Sequence, residues 1–146
     1  MAFKLRLYQS ESVTVGVDYL QGEINNNGVI ILPTGSGKSI VIANIISRLE
    51  GKTIVLQPSK EILEQNYEKF TKYGKASMYS ASVGEKRIDQ VTFCTIGSII
   101  NKKHLFKGVK NIIIDECHLV NAEGGMYQEF ISFFPNAKVL GLTATP

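Results

Sequence analysis

Short β-branched runs alternate with longer helical patterns along the whole of this chain, and few architectures accept that alternation. Val29-Ile30-Ile31-Leu32, between Gly28 and Pro33, reads as a buried strand. From about Lys38 to Leu49 the residues Ile42, Ile45, Ile46 and Leu49 recur at three- and four-residue spacing, a helical period. Thr53-Ile54-Val55-Leu56 is a second strand ended by Pro58, after which Ser59 can cap a helix whose inward face carries Ile62, Leu63, Tyr67 and Phe70. The second half repeats the theme. Lys75 to Tyr79, Val91 to Cys94, Ile112 to Ile114 and Lys138 to Leu142 read as strands. Met126, Tyr127, Phe130, Ile131 and Phe134 form a helical stripe that reads as core. Asn25 to Gly28 is a turn, and Ser80 to Arg87 an exposed polar loop. The expected fold is α/β in one domain over residues 1–146, a mostly parallel central sheet with helices on both faces.

Composition bounds the function only loosely. At 146 residues, 44% hydrophobic and 20% charged, the chain falls among ordinary globular domains. Sixteen basic against thirteen acidic residues leave a net charge of +3, which permits a polyanionic partner without demanding one. Cys94 and Cys117 form no CxxC pair, and His104 and His118 complete no zinc spacing, so two reduced thiols in a cytoplasmic protein are expected. The N-terminus lacks the apolar core of a signal peptide, and no apolar run approaches the ~18–20 residues that cross a bilayer.

Leu32-Pro33-Thr34-Gly35-Ser36-Gly37-Lys38-Ser39 lies between a strand and a helix, the context in which a GKS tripeptide carries meaning. Gly35 and Gly37 let the backbone curl so that the N–H groups of Thr34, Gly35, Ser36 and Gly37 converge on an anion. Lys38 would then reach the β- and γ-phosphates of ATP, and the Ser39 hydroxyl would hold Mg²⁺. Leu32 stands where the strict phosphate-loop pattern has its first glycine. A glycine-rich turn with a surface lysine is the bland alternative.

Asp115-Glu116-Cys117-His118 follows the Ile112–Ile114 strand directly, and carboxylates at the carboxyl end of a parallel strand lie in the crevice where such sheets bind ligands. Asp115 would hold Mg²⁺ through water while Glu116 orients and deprotonates the attacking water. Alone, the acidic pair would read better as a helix cap or solvated loop. With the phosphate loop ~75 residues upstream, a spacing that admits two intervening strands in one sheet, catalysis is the stronger reading.

LPTGSGKS, DECH and LTATP, in that order, resemble motifs I, II and III of the superfamily II helicases over the whole chain. That resemblance implies a RecA-like P-loop domain driving a nucleic-acid motor. Arg6-Leu7-Tyr8-Gln9 is similar to the upstream glutamine motif, which implies that Gln9 reads adenine N6 and N7 with Arg6 nearby, at a flexible N-terminus. Gln57 to Asn66 resembles motif Ia and Thr95-Ile96-Gly97-Ser98 motif Ib, which implies backbone contacts to one nucleic-acid strand by Ser59, Lys60, Thr95 and Gly97. Ser59 and Ser98 also read as simple helix caps. Thr143 and Thr145 look like the motif III residues that couple the ATP site to the nucleic-acid track, with His118 beside them. The wording of the segment from Asp115 to Pro146, with LRLYQ and EILEQN before it, is similar to the RadD-type and related bacterial and phage DNA helicases. DNA is accordingly favoured over RNA, and a monomer is expected.

The chain stops directly after a strand, which suggests a fragment, and the family completes its ATPase with a second RecA-like lobe that supplies arginine fingers. Such fingers contribute ~10³–10⁵ in rate, so this chain alone is expected to bind ATP·Mg²⁺ weakly and to hydrolyse it barely. Two other readings stay open: a duplex translocase motor of restriction or remodelling type, and a P-loop nucleotide switch that never touches nucleic acid.

Overall fold

The structure, a computed structural model, describes residues 5, 7–21, 28–32, 37–123 and 125–144. Arg6, Thr34, Gly35, Ser36 and Thr145 lie outside the described residues, as does most of the turn expected at Asn25 to Gly28. The elements run α1 (Leu7–Gln21), β1 (Gly28–Ile31), α2 (Lys38–Ser47), β2 (Thr53–Leu56), α3 (Lys60–Phe70), β3 (Ser77–Ser80), β4 (Glu85–Lys86), β5 (Val91–Cys94), α4 (Ile96–Ile99), β6 (Asn111–Asp115), α5 (Met126–Ser132) and β7 (Lys138–Thr143). Two 3₁₀ segments, Ile100–Phe106 and Cys117–Glu123, follow α4 and β6.

One seven-stranded sheet forms, in the order β1-β7-β6-β2-β5-β3-β4. Every pairing is parallel except β3 with β4, which is antiparallel. Alternate residues of the central strands serve opposite faces. Val55, Phe93, Ile113, Leu140 and Leu142 pack with Val13 and Val17 of α1, Ile42 and Ile45 of α2, and Leu63 and Phe70 of α3. Ile54, Leu56, Ile112, Ile114 and Val139 pack with Ile96, Ile99, Phe106, Tyr127, Phe130 and Phe134 on the other face. Period-2 burial on both faces is what turns the strand sequences into near-continuous apolar runs. The expected α/β architecture is therefore present, and the aromatic stripe of α5 is core, with Phe130 packed between Phe106, edge-on at 6.0 Å, and Phe134, tilted at 5.0 Å.

Four sequence expectations are corrected. From Leu7 onward the chain is a helix, not a flexible arm: Val13, Val17 and Leu20 bury one stripe of α1, and Gly16 lets it approach Ile45 of α2. Residues 80–87 are not simply a polar loop, because the chain turns at Gly84 (φ 83°) and returns as β4. β1 is not fully buried, since Val29 and Ile31 are 60% and 54% exposed. β1 is an edge strand, and the helices of the second face do not reach it. Finally, four strands rather than two intervene in the chain between the phosphate loop and Asp115, whereas in space only β7 separates β1 from β6. No helix among the described residues is long and apolar enough to cross a membrane.

Candidate active site

The parallel strands all end on one side of the sheet, and the residues singled out in the sequence follow those ends: Leu32 after β1, Gln57 after β2, Thr95 after β5, Glu116 after β6 and Ala144 after β7. This carboxyl edge is where open α/β sheets carry their ligands. Gly37 enters α2 at φ 76°, a left-handed conformation that glycine adopts without a Cβ penalty. The space is also closed to a side chain, because a Cβ on Gly37 would fall 2.5 Å from Gln9 Nε2. Gln9, only 2% exposed on α1, therefore packs directly against the end of the phosphate loop. Gln9 was expected at a flexible N-terminus, and the helix holding it was not foreseen.

Lys38 opens α2 and reaches across to β6. Its ammonium lies 3.0 Å from Asp115 Oδ1 and also bonds Glu116 Oε1. Asp115 is 2% exposed, and its Oδ1 accepts the Glu116 backbone N–H at 2.9 Å as well. Glu116 sits at φ 54°, a left-handed conformation costing a non-glycine residue ~1–2 kcal/mol. The two bonds offset that cost and turn the carboxylate off the strand toward Lys38. Ser39, 8% exposed, sits in the same first turn of α2.

His118 Nδ1 and Thr143 Oγ1 are 2.7 Å apart, and Glu116 Oε2 is 3.7 Å from the same imidazole nitrogen. Thr143 also accepts the Leu32 N–H through its carbonyl at 2.9 Å. One residue at the end of β7 thus touches both the start of the phosphate loop and the residue two places beyond Glu116. Cys117 packs its Sγ against Gly141, where any Cβ would clash at 2.8 Å. Burial pushes its thiol above the ordinary range, with Asp115 adding to the rise while its own backbone N–H and Lys38 oppose it.

Two buried amides that the sequence did not mark complete the Asp115 environment. Asn66 Nδ2 donates to Asp115 Oδ2 at 2.9 Å and to Gln57 Oε1 at 3.4 Å. Gln57 Nε2 donates to the carbonyls of Val55 and Cys94, both at 3.0 Å. Gln57 and Asn66 fall within the segment that resembles motif Ia, and their polar character at buried helix and strand-end positions was the available signal.

The remaining sequence candidates line up along the β2, β5 and β3 end of the same edge. Ser59 caps α3 by accepting the Ile62 N–H at 3.3 Å, and Lys60 beside it is exposed. Thr95 precedes α4 and sits in a hydroxyl chain running Ser82–Ser80–Thr95–Ser98, each link 2.9 Å. Ser98 is no helix cap: its Oγ accepts the Ala81 N–H at 2.9 Å and ties β3 to this turn. Gly97 faces open space, with no atom within 4 Å of a built Cβ.

The donor set around Lys38 suits a nucleotide-bound Mg²⁺. Such a cation is typically held by one or two carboxylates together with phosphate oxygens and waters, a demand that Asp115 at the end of β6 meets, with the Ser39 hydroxyl in the first turn of α2 as a further oxygen donor. The ammonium of Lys38 against Asp115 shows that positive charge is favoured there.

With this geometry in place, comparison with known proteins is decisive. The family model described as "Type III restriction enzyme, res subunit" matches residues 2–146. The chain belongs to this family. It is 31% identical over 144 residues to the DNA 3'-5' translocase XPB2 of Sulfurisphaera tokodaii, covering 98% of this chain and 31% of that protein. It is 26% identical over 159 residues to a subunit of the type I restriction enzyme EcoAI endonuclease of Escherichia coli, covering 97% of this chain and 19% of that one. Among solved structures, the UvsW helicase of bacteriophage T4 superposes with a TM-score of 0.76 at 22% identity, covering 98% of this chain and 53% of that one. The fold is thus the RecA-like ATP-binding domain of superfamily II helicases, and family membership implies use of ATP. The chain spans less than a third of the length of these two curated relatives.

Proposed function

We propose that this chain is the nucleotide-binding lobe of an ATP-driven motor that moves along or unwinds DNA, completed by a second RecA-like lobe. The observation that carries the reading is the meeting of Lys38 with Asp115 and Glu116 at the carboxyl ends of the sheet. In this reading the loop of Thr34, Gly35, Ser36 and Gly37 cradles the phosphates of ATP, and Lys38 leaves the carboxylates to follow the β- and γ-phosphates. Ser39 and Asp115 hold Mg²⁺, whose charge offsets that of the phosphate oxygens. Glu116, freed from Lys38, orients the attacking water and takes its proton. Gln9 and Arg6 read the adenine edge. His118 and Thr143, already bonded, report the state of the nucleotide to β7, with Thr145 just beyond. Ser59, Lys60, Thr95 and Gly97 grip one strand's sugar-phosphate backbone without reading sequence.

The preference for DNA rests on the relatives whose names specify it, XPB2 among them. The finer kinship with RadD-type helicases rests on the wording of residues 115–146 alone. A cytoplasmic location agrees with two free thiols, Cys94 and Cys117, and a monomer is the simplest state of the isolated lobe. The family description and the restriction-enzyme relative favour a second reading, a translocase that pumps duplex without separating it.

ATP hydrolysis by the full-length protein with single-stranded, duplex and forked DNA and with RNA tests all of this. DNA should stimulate turnover, and Glu116→Gln should lower it by ~10²–10⁴ while nucleotide still binds. Lys38→Ala should abolish nucleotide binding. Stimulation by duplex without strand separation would select the translocase reading. An ATPase indifferent to every nucleic acid would sink both. Residues 1–146 alone should turn over little ATP, since the second lobe is missing.

A further inference from the structure

Asp115 is almost wholly buried, and a buried carboxylate must have its oxygens hydrogen-bonded. Oδ1 is met by the Glu116 N–H and by Lys38, both belonging to the nucleotide site. Oδ2 is met by Asn66, a residue of α3 with no other part in that site. The chemistry leaves these amides one arrangement. Gln57 Nε2 faces two backbone carbonyls, Val55 and Cys94, so it must be the NH₂ end, and Oε1 must face Asn66. Asn66 must therefore present its own NH₂, with one hydrogen toward Gln57 and the other toward Asp115. All three side chains are at most 2% exposed, so these bonds are shielded from bulk water.

We propose that Asn66 is a positioning residue that fixes the carboxylate plane of Asp115 for the divalent cation accompanying the nucleotide, and that Gln57, pinned to the ends of β2 and β5, fixes Asn66. The inference rests on the reading of Asp115 as a metal-holding residue. Lys38 can exchange carboxylate for phosphate, and when it does the Glu116 N–H on Oδ1 and Asn66 on Oδ2 stay, Asn66 being the side chain that holds the carboxylate plane so that Oδ1 remains aimed at the site. Partners of metal-holding groups at this remove typically change metal affinity ~10–100-fold when removed.

The test uses the full-length protein and a fluorescent ADP analogue, titrated with MgCl₂ or kept in EDTA, with no hydrolysis required. Asn66→Ala should raise the Mg²⁺ concentration for half-maximal tightening ~10-fold or more and leave affinity in EDTA unchanged. Gln57→Leu, which keeps Asn66 but releases its second anchor, should shift the midpoint in the same direction by less. Melting curves establish that each variant is folded, and if Asn66→Ala is not, Gln57→Leu carries the reading alone. Equal losses with and without Mg²⁺ would mean that the amides only support packing, and no change would mean that Asp115 needs neither. Both results overturn the proposal. A parent protein that binds the analogue no tighter with Mg²⁺ would instead overturn the reading of Asp115 on which it rests.

Discussion

Gly37 joins two requirements at one atom, a left-handed backbone and room for the Gln9 amide. Gly37→Ala violates both. The backbone term alone costs ~1–2 kcal/mol, and the clash with Gln9 adds to it, so the urea midpoint should fall and the amide should be displaced from the loop. An unchanged midpoint would show that α1 yields without cost. Cys94 gives a pH-dependent expectation. Full burial holds its thiol far above the ordinary value of 9.0, so the folded chain keeps a proton that the unfolded chain releases. The unfolded state then binds fewer protons above that pH, and stability falls there by up to ~1.4 kcal/mol per pH unit while remaining unaffected below it. Urea melts between pH 8 and 10.5 should show a steeper loss for the parent than for Cys94→Ala. Parallel slopes would place the alkaline loss elsewhere. Lys38, Asp115, Glu116 and His118 were legible because their spacing and their positions at strand ends define a chemistry. Asn66 was not, since its partner Asp115 lies far along the chain and only the fold joins them.

Elements whose burial is uniform were read well. β2 and β5 begin and end where their β-branched runs do, because every residue in them is buried. α1 was missed because Val13, Val15 and Val17 alternate like a strand, and Thr14 and Gly16 favour helix weakly. The stripe of Gln9, Val13, Val17 and Leu20 was the signal that tertiary packing obeyed. β4 was missed because two charged residues, one half-buried and one exposed, carry no pattern, and its existence depends on the turn at Gly84. α5 owes its position to its aromatics. Phe130 is fully buried between Phe106 and Phe134, so Phe130→Ala should cost ~3–5 kcal/mol. That is a large part of the ~5–15 kcal/mol that holds a domain together. A thermal melt shifted by only a degree or two would mean that α5 closes over the gap.

For the molecule as a whole, the strand order rather than any single element decides when the site exists. Among the described residues β1, which leads into the phosphate loop, pairs with β7 alone, Ile31 opposite Thr143, and the Leu32 N–H bonds the Thr143 carbonyl. During synthesis at ~5–20 residues per second, β1 therefore leaves the ribosome on the order of ten seconds before its neighbour. A nascent chain with residues up to 137 outside the exit tunnel should not retain a fluorescent ATP analogue, whereas one exposing β7 should. Retention by the shorter chain would mean that α1 and α2 alone hold β1 in place. The strand that begins the candidate nucleotide site is made well before Thr143, the residue that locks it down, so translation itself would keep the site from forming before the lobe is closed.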